Sequence, residues 1–214
     1  MFSAATDRFE GLTAQRLVKR GEPVFRAGDR FMSLYLVHAG FVKSTVETVG
    51  GRKQVTAFSM PGELLGLDGI ASGQHRFDAI ALEDTVVRVL PYRTLQTAAG
   101  STPTLHTHLQ RTMSQEIVRD HEVMLLLGSM RADERLATFL LNLSQRFRAL
   151  GYAHDDFVLR MTRAEIGSFL GLKLETVSRA FSYFVRNRLI EVHHKHVHIV
   201  SAAGLRQVAI GAHS

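Results

Sequence analysis

The sequence predicts an α+β chain in which a β-roll is followed by a long helix and then by a second, largely helical unit. Three observations carry this expectation. Ten of the 17 glycines fall between Gly11 and Gly73, where they separate short apolar runs. From Thr104 to Leu127 no glycine or proline interrupts the chain. Residues 162–188, TRAEIGSFLGLKLETVSRAFSYFVRNR, hold two apolar stripes of helical period on either side of Gly171.

Composition narrows the class. The 214 residues are 45% hydrophobic without any run of eighteen apolar residues, so a globular chain with no membrane partner is expected. The first twelve residues, MFSAATDRFEGL, lack the basic-then-apolar pattern of a secretion signal, which makes the cytoplasm the expected location. With zero cysteines, no disulfide, Cys-ligated zinc or thiolate-held iron–sulfur cluster can be built from these residues. Charge is uneven: 14 Lys and Arg stand against 13 Asp and Glu in residues 1–127, and 12 against 7 in residues 128–214. The basic excess falls on the part that holds the two-stripe segment, as attraction to phosphate requires.

In residues 1–100 the runs Leu34–Val37, Phe41-Val42, Val55–Phe58, Ala79–Leu82 and Val86–Leu90 read as strands. Gly28-Asp29, Ala39-Gly40, Gly50-Gly51 and Pro61-Gly62 supply the turns between them. Many short strands with regular turns suggest a compact roll or barrel. Ser101-Thr102-Pro103 then offers a cap and an early-helix proline, so residues 101–127 form one helix. Its positions Leu109, Met113, Ile117, Met124 and Leu127 follow 3-4 spacing, with Asp120 in the slot between Ile117 and Met124. This is a candidate seam between two copies, the alternative being an amphipathic helix packed on its own domain. In a seam, Asp120 would set like charges near the two-fold axis; at the rim it would stand in water.

Gly128-Ser129 marks the next break and opens a unit of residues 128–214. Residues 130–150 read as a helix bearing Leu136, Phe139, Leu140, Leu143 and Phe147. Thr162, followed three residues later by Glu165, is a capping box that starts a helix with Ile166, Phe169 and Leu170 inward. Gly171 ends it. In the following helix Val177, Ala180, Phe181 and Phe184 fall at i, i+3, i+4 and i+7, leaving Glu175, Ser178, Arg179 and Ser182 on the opposite face. Two helices joined by a tight turn, the second anchored by aromatics, is the geometry that lays a helix in the major groove of duplex DNA. Arg bonds a guanine edge, a carboxylate accepts from cytosine N4, and a Ser hydroxyl adapts to either. The same pattern also fits a helical hairpin packed in a core with its charges solvated. Leu189–Val192 and Val197–Val200 form a hairpin beside this element, completing a winged helix-turn-helix.

Taken in this order, the chain resembles the CRP/FNR superfamily of dimeric transcription regulators. The likeness is carried by FRAGDRFMSLYLVHAGFVK (25–43), PGELLGLD (61–68), MLLLGSMRADERLATFLLNLSQRFR (124–148) and LETVSR (174–179), and it favours the FNR-like branch. The resemblance implies an N-terminal cupin-like, cyclic-nucleotide-binding-like jelly roll, a dimerisation helix and a C-terminal DNA-binding domain. It further implies a homodimer reading the palindrome TTGAT-N4-ATCAA, with Arg179 on guanine, Glu175 on the cytosine side and Ser178 selecting outer base pairs. Thr162, Lys173, Thr176, Ser182 and Lys195 are the implied contacts to the DNA backbone. RNA polymerase is the implied partner of activation, through the loop from Glu63 to Ser72 with Asp68 and Gly69 as contacts.

Three departures qualify the resemblance. FNR senses oxygen through a cysteine-held cluster, whereas every such position here is another residue, Arg88 standing at the internal one; no cofactor is expected. Cyclic AMP is not expected either, because the phosphate-binding Arg-Ser pair of that branch falls at Arg76-Phe77, and Phe77 has no hydroxyl. Lys173 occupies a place where Ser or Thr commonly caps the next helix. A small-molecule- or haem-gated member of the superfamily, with another effector and half-site, is the alternative. An enzyme is not: metal-dependent oxygenases on similar barrels need two His and a carboxylate, and no His-x-His pair lies between residues 20 and 98.

Eleven histidines invite a metal, above all His193, His194, His196 and His198. On a strand His196 and His198 point the same way. The reading taken is phosphate contact or solvation rather than a metal site, because no carboxylate of evident use accompanies the cluster. His38 and His75 have no companion at ligand spacing, and His106 and His108 diverge on a helix.

Overall fold

In the computed structural model, residues 13–212 are described, and the N-terminal stretch read above lies outside them. The chain divides into two compact units, one ending at Asp120 and one beginning at His121.

The first unit is the roll. Eight antiparallel strands form two sheets: β1 (Ala14–Val18), β2 (Pro23–Phe25), β3 (Ser33–Ala39), β4 (Val42–Glu47), β5 (Lys53–Ser59), β6 (Leu64–Leu65), β7 (Asp78–Ala81) and β8 (Thr85–Pro91). The sheet orders are β1-β8-β3-β6 and β2-β7-β4-β5. Val18, Val24, Phe25, Val37, Val42, Leu65, Ala79, Ala81 and Val87 fill the space between them. On β3 the alternate residues Leu34 and Leu36 face the other way. There they meet Leu64 and Leu90, and Leu95 and Ala99 of a helix α1 (Tyr92–Ser101) that the sequence reading passed over. A strand buried on both faces explains why Leu34–Val37 reads as an unbroken apolar run. Gly40 turns the chain between β3 and β4 at φ +95°, and a Cβ there would meet the Thr85 hydroxyl at 2.4 Å.

The loop before β7 is tied inward by polar bonds. Asp68 Oδ2 accepts the amides of Arg76 (2.6 Å) and Phe77 (3.3 Å), and Oδ1 lies 3.4 Å from His75 Nδ1. The His75 ring is only 3% exposed and stacks on Phe25 at 3.7 Å between centroids. His75 therefore does have a companion, one supplied by the fold. Arg88, at the position the resemblance assigned to the cluster, is buried in β8 with Gln15 and Leu36 as its cross-strand neighbours.

A long helix α2 (Pro103–Ser129) runs as expected, two residues past the anticipated end and through Gly128. In the second unit follow α3 (Ala132–Ala149), β9 (Asp156–Val158), α4 (Arg163–Leu170), α5 (Leu174–Arg186), β10 (Ile190–His193), β11 (His196–Ile199) and α6 (Ala202–Ala209). β9 and α6 were not foreseen. β9 adds to the hairpin, giving a sheet of order β10-β11-β9. Ser201 caps α6 by accepting the Gly204 amide at 3.0 Å, and Leu205 and Val208 anchor it.

Burial alone would push the Asp78 carboxyl up, but the Ala27 amide and then Lys53, 2.9 Å away, outweigh it and hold it below the ordinary carboxylate range. A folded pKa below the unfolded one stabilises the roll above that range, and the contribution is lost as pH falls through it. Urea denaturation of Asp78→Asn should thus depend less on pH below about 4 than the parent does. Asp68→Ala should cost about 1–3 kcal/mol in the same measurement, since two loop amides lose their acceptor.

Candidate nucleic-acid interface

The helix-turn-helix is assembled from the Thr162 turn onward. Thr162 Oγ1 accepts the Glu165 amide at 3.2 Å while Glu165 Oε2 accepts the Thr162 amide at 2.7 Å, closing the capping box that starts α4. Gly171, at φ 65°, ends α4 in the left-handed region. The Leu172 amide returns to the Gly167 carbonyl at 2.8 Å, so the turn folds tightly over Gly167. A Cβ on Gly167 would lie 2.6 Å from the Leu172 carbonyl oxygen. The sequence reading named Gly171 and missed Gly167; an isolated glycine on the inner face of a short helix was the available sign.

Three residues, Gly171, Leu172 and Lys173, separate the end of α4 from the start of α5. Val177, Ala180, Phe181 and Phe184 are buried, and Arg163 lies over the Phe181 ring with its guanidinium 4.9 Å from the centroid. Glu175 and Arg179 are exposed and Ser178 is half-buried on the opposite face. Their side chains make no hydrogen bond or ion pair among the described residues. Leu174, also exposed, stands at the head of this face as an apolar group beside Glu175. Ser182 is exposed, but its hydroxyl donates to the Ser178 carbonyl at 3.0 Å. Lys173 caps α5 with its backbone only, its carbonyl accepting the Thr176 and Val177 amides. The Lys173 ammonium is exposed, whereas Thr176 is half-buried and the Thr162 hydroxyl is held by Glu165.

On the wing, His194 turns the hairpin at φ 57°, and Lys195 donates to the Arg160 carbonyl at 3.4 Å. One expectation is corrected here. A carboxylate does accompany the histidines: Asp156 of β9 pairs with His196 Nε2 through Oδ1 and lies 4.0 Å from His198 Nδ1 through Oδ2. The sequence hid it because Asp156 is brought opposite His198 only by a strand pairing across some forty residues. Glu191 is the partner of His198 on the other side. Among the described residues no group of three or more His, Asp or Glu is arranged to hold a metal ion.

On α2 the exposed apolar residues are Met113, Ile117 (57%) and Val118 in the first unit, and Met124 (59%) and Leu125 (65%) in the second. Asp120 is exposed beside them. Leu109 packs against the cluster beneath α1, and Leu127 is half-buried. The arc is therefore turned from the expected stripe, adding Val118 and Leu125, with exposed His121 nearer its middle than Asp120 at about 100° per residue. In the proposed polymerase loop, Gly69 is pressed on Phe31, 2.6 Å from where a Cβ would sit, and Asp68 is spent on the bonds above. The exposed residues of that loop are Ala71 and Ser72, and Gly73 and Gln74 just after it are exposed as well.

A nucleotide-binding-type roll, a long helix and a winged helix-turn-helix with an open polar face define a DNA-binding transcription regulator. Residues 15–101 match the cyclic nucleotide-binding domain family, and residues 134–208 match the Crp-like helix-turn-helix domain family. The chain is 42% identical to the transcriptional regulatory protein Btr of Bordetella pertussis, over 94% of this chain and 84% of that one. It is 46% identical to the transcriptional activator protein Anr of Pseudomonas protegens, over 92% and 81%. Among solved structures, FixK2 of Bradyrhizobium japonicum superposes with a TM-score of 0.83 at 31% identity, covering 92% of this chain and 96% of that one. The chain belongs to the CRP/FNR superfamily, and it is a regulator rather than an enzyme.

Gly167→Ala should displace the turn and destabilise the second unit by roughly 2 kcal/mol or more. Thr162→Ala, which removes only a cap, should cost about 1 kcal/mol in thermal denaturation.

Proposed function

We propose that the chain acts in the cytoplasm as a homodimer that reads the palindrome TTGAT-N4-ATCAA and activates transcription without an iron–sulfur cluster. The observation that carries the reading is the face of α5. Glu175, Ser178 and Arg179 are offered outward on a helix whose other side is buried, and among the described residues their side chains have no partner of their own. Arg179 reads guanine, Glu175 the cytosine side, and Ser178 the outer pairs, while Lys173 meets phosphate beside them. Thr162, Ser182 and Lys195, whose groups are engaged within the protein, and half-buried Thr176 are secondary contacts to the backbone. Activation is supported by the likeness to Anr, a transcriptional activator protein. Cyclic AMP has no part in the reading: Phe77 brings no hydroxyl beside Arg76, and the amides of both residues are taken by Asp68.

Dimerisation is supported by the apolar arc of α2. Met113, Ile117, Val118, Met124 and Leu125 expose side chains that a lone helix in water would shed, and a second copy of the helix covers them. Contact with RNA polymerase is placed on the exposed part of the 63–72 loop and the residues just after it, rather than on the inward-held Asp68 and Gly69.

Fluorescence anisotropy of additive-free protein on the palindrome and on a scrambled duplex tests the reading, at two salt concentrations. The parent should discriminate, and Arg179→Ala should lose about 1–3 kcal/mol of that discrimination while keeping salt-sensitive general binding. Equal binding of both duplexes by the parent would refute the half-site. Ile117→Glu should shift the protein toward monomer in sedimentation velocity and weaken the palindrome complex in parallel. Ser72 and Gln74 substitutions should lower transcription in vitro with DNA binding unchanged; loss of both together would remove the loop from the polymerase interface.

A further inference from the structure

Only two residues, Met130 and Arg131, separate the end of α2 from the start of α3. Two free φ/ψ pairs would leave the DNA-reading element loosely hung on the last turn of α2 unless something else fixed it. One side chain spans that joint. Arg135, in the first turns of α3, donates from Nη2 to the Leu127 carbonyl at 2.8 Å, from Nε to the Met130 carbonyl at 2.9 Å, and from Nη1 to the Leu170 carbonyl at 2.9 Å. The three acceptors belong to the last turn of α2, the linker and the last residue of α4. Two are C-terminal helix carbonyls that have no amide partner within their own helix, and a cation there also opposes the negative ends of both helix dipoles.

The neighbouring packing points the same way. Gly171 follows the Leu170 carbonyl directly, and a Cβ there would stand 3.4 Å from Arg135 Nη1 and 3.5 Å from a Leu127 methyl. From Leu170 only Gly171, Leu172 and Lys173 lead to the first residue of α5. A displacement at the guanidinium therefore passes into the reading helix with little chain to absorb it.

We propose that Arg135 is a positioning residue for DNA recognition: its three-carbonyl grip sets the heading of α5 relative to the end of α2, and so the spacer length between half-sites that the regulator accepts. This rests on the dimeric, palindrome-reading function above. The lever is long enough to matter. α5 spans about 20 Å, so a swing of about 10° moves its far end by about 3.5 Å, roughly one base-pair step. The planar fork is needed for this, because a lysine ammonium is a single point that cannot hold three carbonyls in fixed relative positions.

The experiment compares the parent, Arg135→Gln and Arg135→Lys on palindromes with spacers of three, four, five and six base pairs. The parent should bind one spacing about tenfold better than its neighbours, while both variants should flatten the profile to within about threefold. A profile that keeps the parent's shape, whether or not it is lowered uniformly, would show that Arg135 only supports the fold and would overturn the proposal. A second measurement needs no DNA. Because the chain has no cysteine, Glu122→Cys and Arg186→Cys can carry a spin-label pair, diluted with unlabelled chain. The distance distribution should broaden in both Arg135 variants, and an unchanged width would again overturn the proposal. Should Arg135→Gln fail to fold, Arg135→Lys carries both arms. A parent without any spacing preference would fault the palindrome reading, and the label distances would still decide the role of Arg135.

Discussion

Burial of Phe181 and Phe184, with Val177 and Ala180 on the same stripe, decides which way α5 faces, and the proposed DNA-reading surface has no existence apart from that decision. Each large apolar side chain taken out of water contributes about 1.5–3 kcal/mol. Turning α5 by a single residue rotates it by about 100° and would bring these groups into water. No polar contact at the surface is of comparable size, so the helix is held to one azimuth. Arg163 covers the open side of the Phe181 ring, and Gly167 lets the turn close tightly enough for Val177 to reach the α4 side. The polar face is thus a by-product of the apolar one.

This is also why the helix-turn-helix was the most legible part of the chain. Its determinants are local: a capping box at three-residue spacing, a glycine at the turn and an apolar period of 3.6 all lie within 27 residues. Much of what escaped notice was too short for periodicity or not local at all, although β1 and α6 were missed as well. β2, β6 and β9 have two or three residues each, and α1 carries Gly100, which reads as a stop. The azimuth of the α2 arc was displaced because Leu109 and Leu127 fit the same 3-4 spacing whether they face a partner or their own domain. Sequence spacing gives a helix its stripe; what fills the space beside it decides which edge of the stripe stays wet.

Polar side chains that bond backbone groups were the least legible class. Asp68 looked like the tip of an exposed loop, yet it accepts two amides eight and nine residues downstream and meets the buried His75. Asp156 and His196, which pair side chain to side chain, were hidden instead by the sheet that brings them together. Any residue offers a carbonyl or an amide, so the partner's identity leaves no mark in the sequence. The resulting bonds nevertheless determine which carboxylates remain available for solvent, a ligand or another protein, and in the roll they turn Asp68 inward.

The polar face of α5 has a consequence for how such a regulator diverges. Glu175, Ser178 and Arg179 contribute nothing to the packing that orients them, so exchanging them leaves the unit's stability almost untouched. The glycines at 167 and 171 and the aromatics behind the helix have no such freedom. On the proposed reading, mutational load and binding preference are therefore carried by separate sets of residues. A duplicated copy can drift toward a new operator by changes at three or four positions without first passing through an unfolded ancestor.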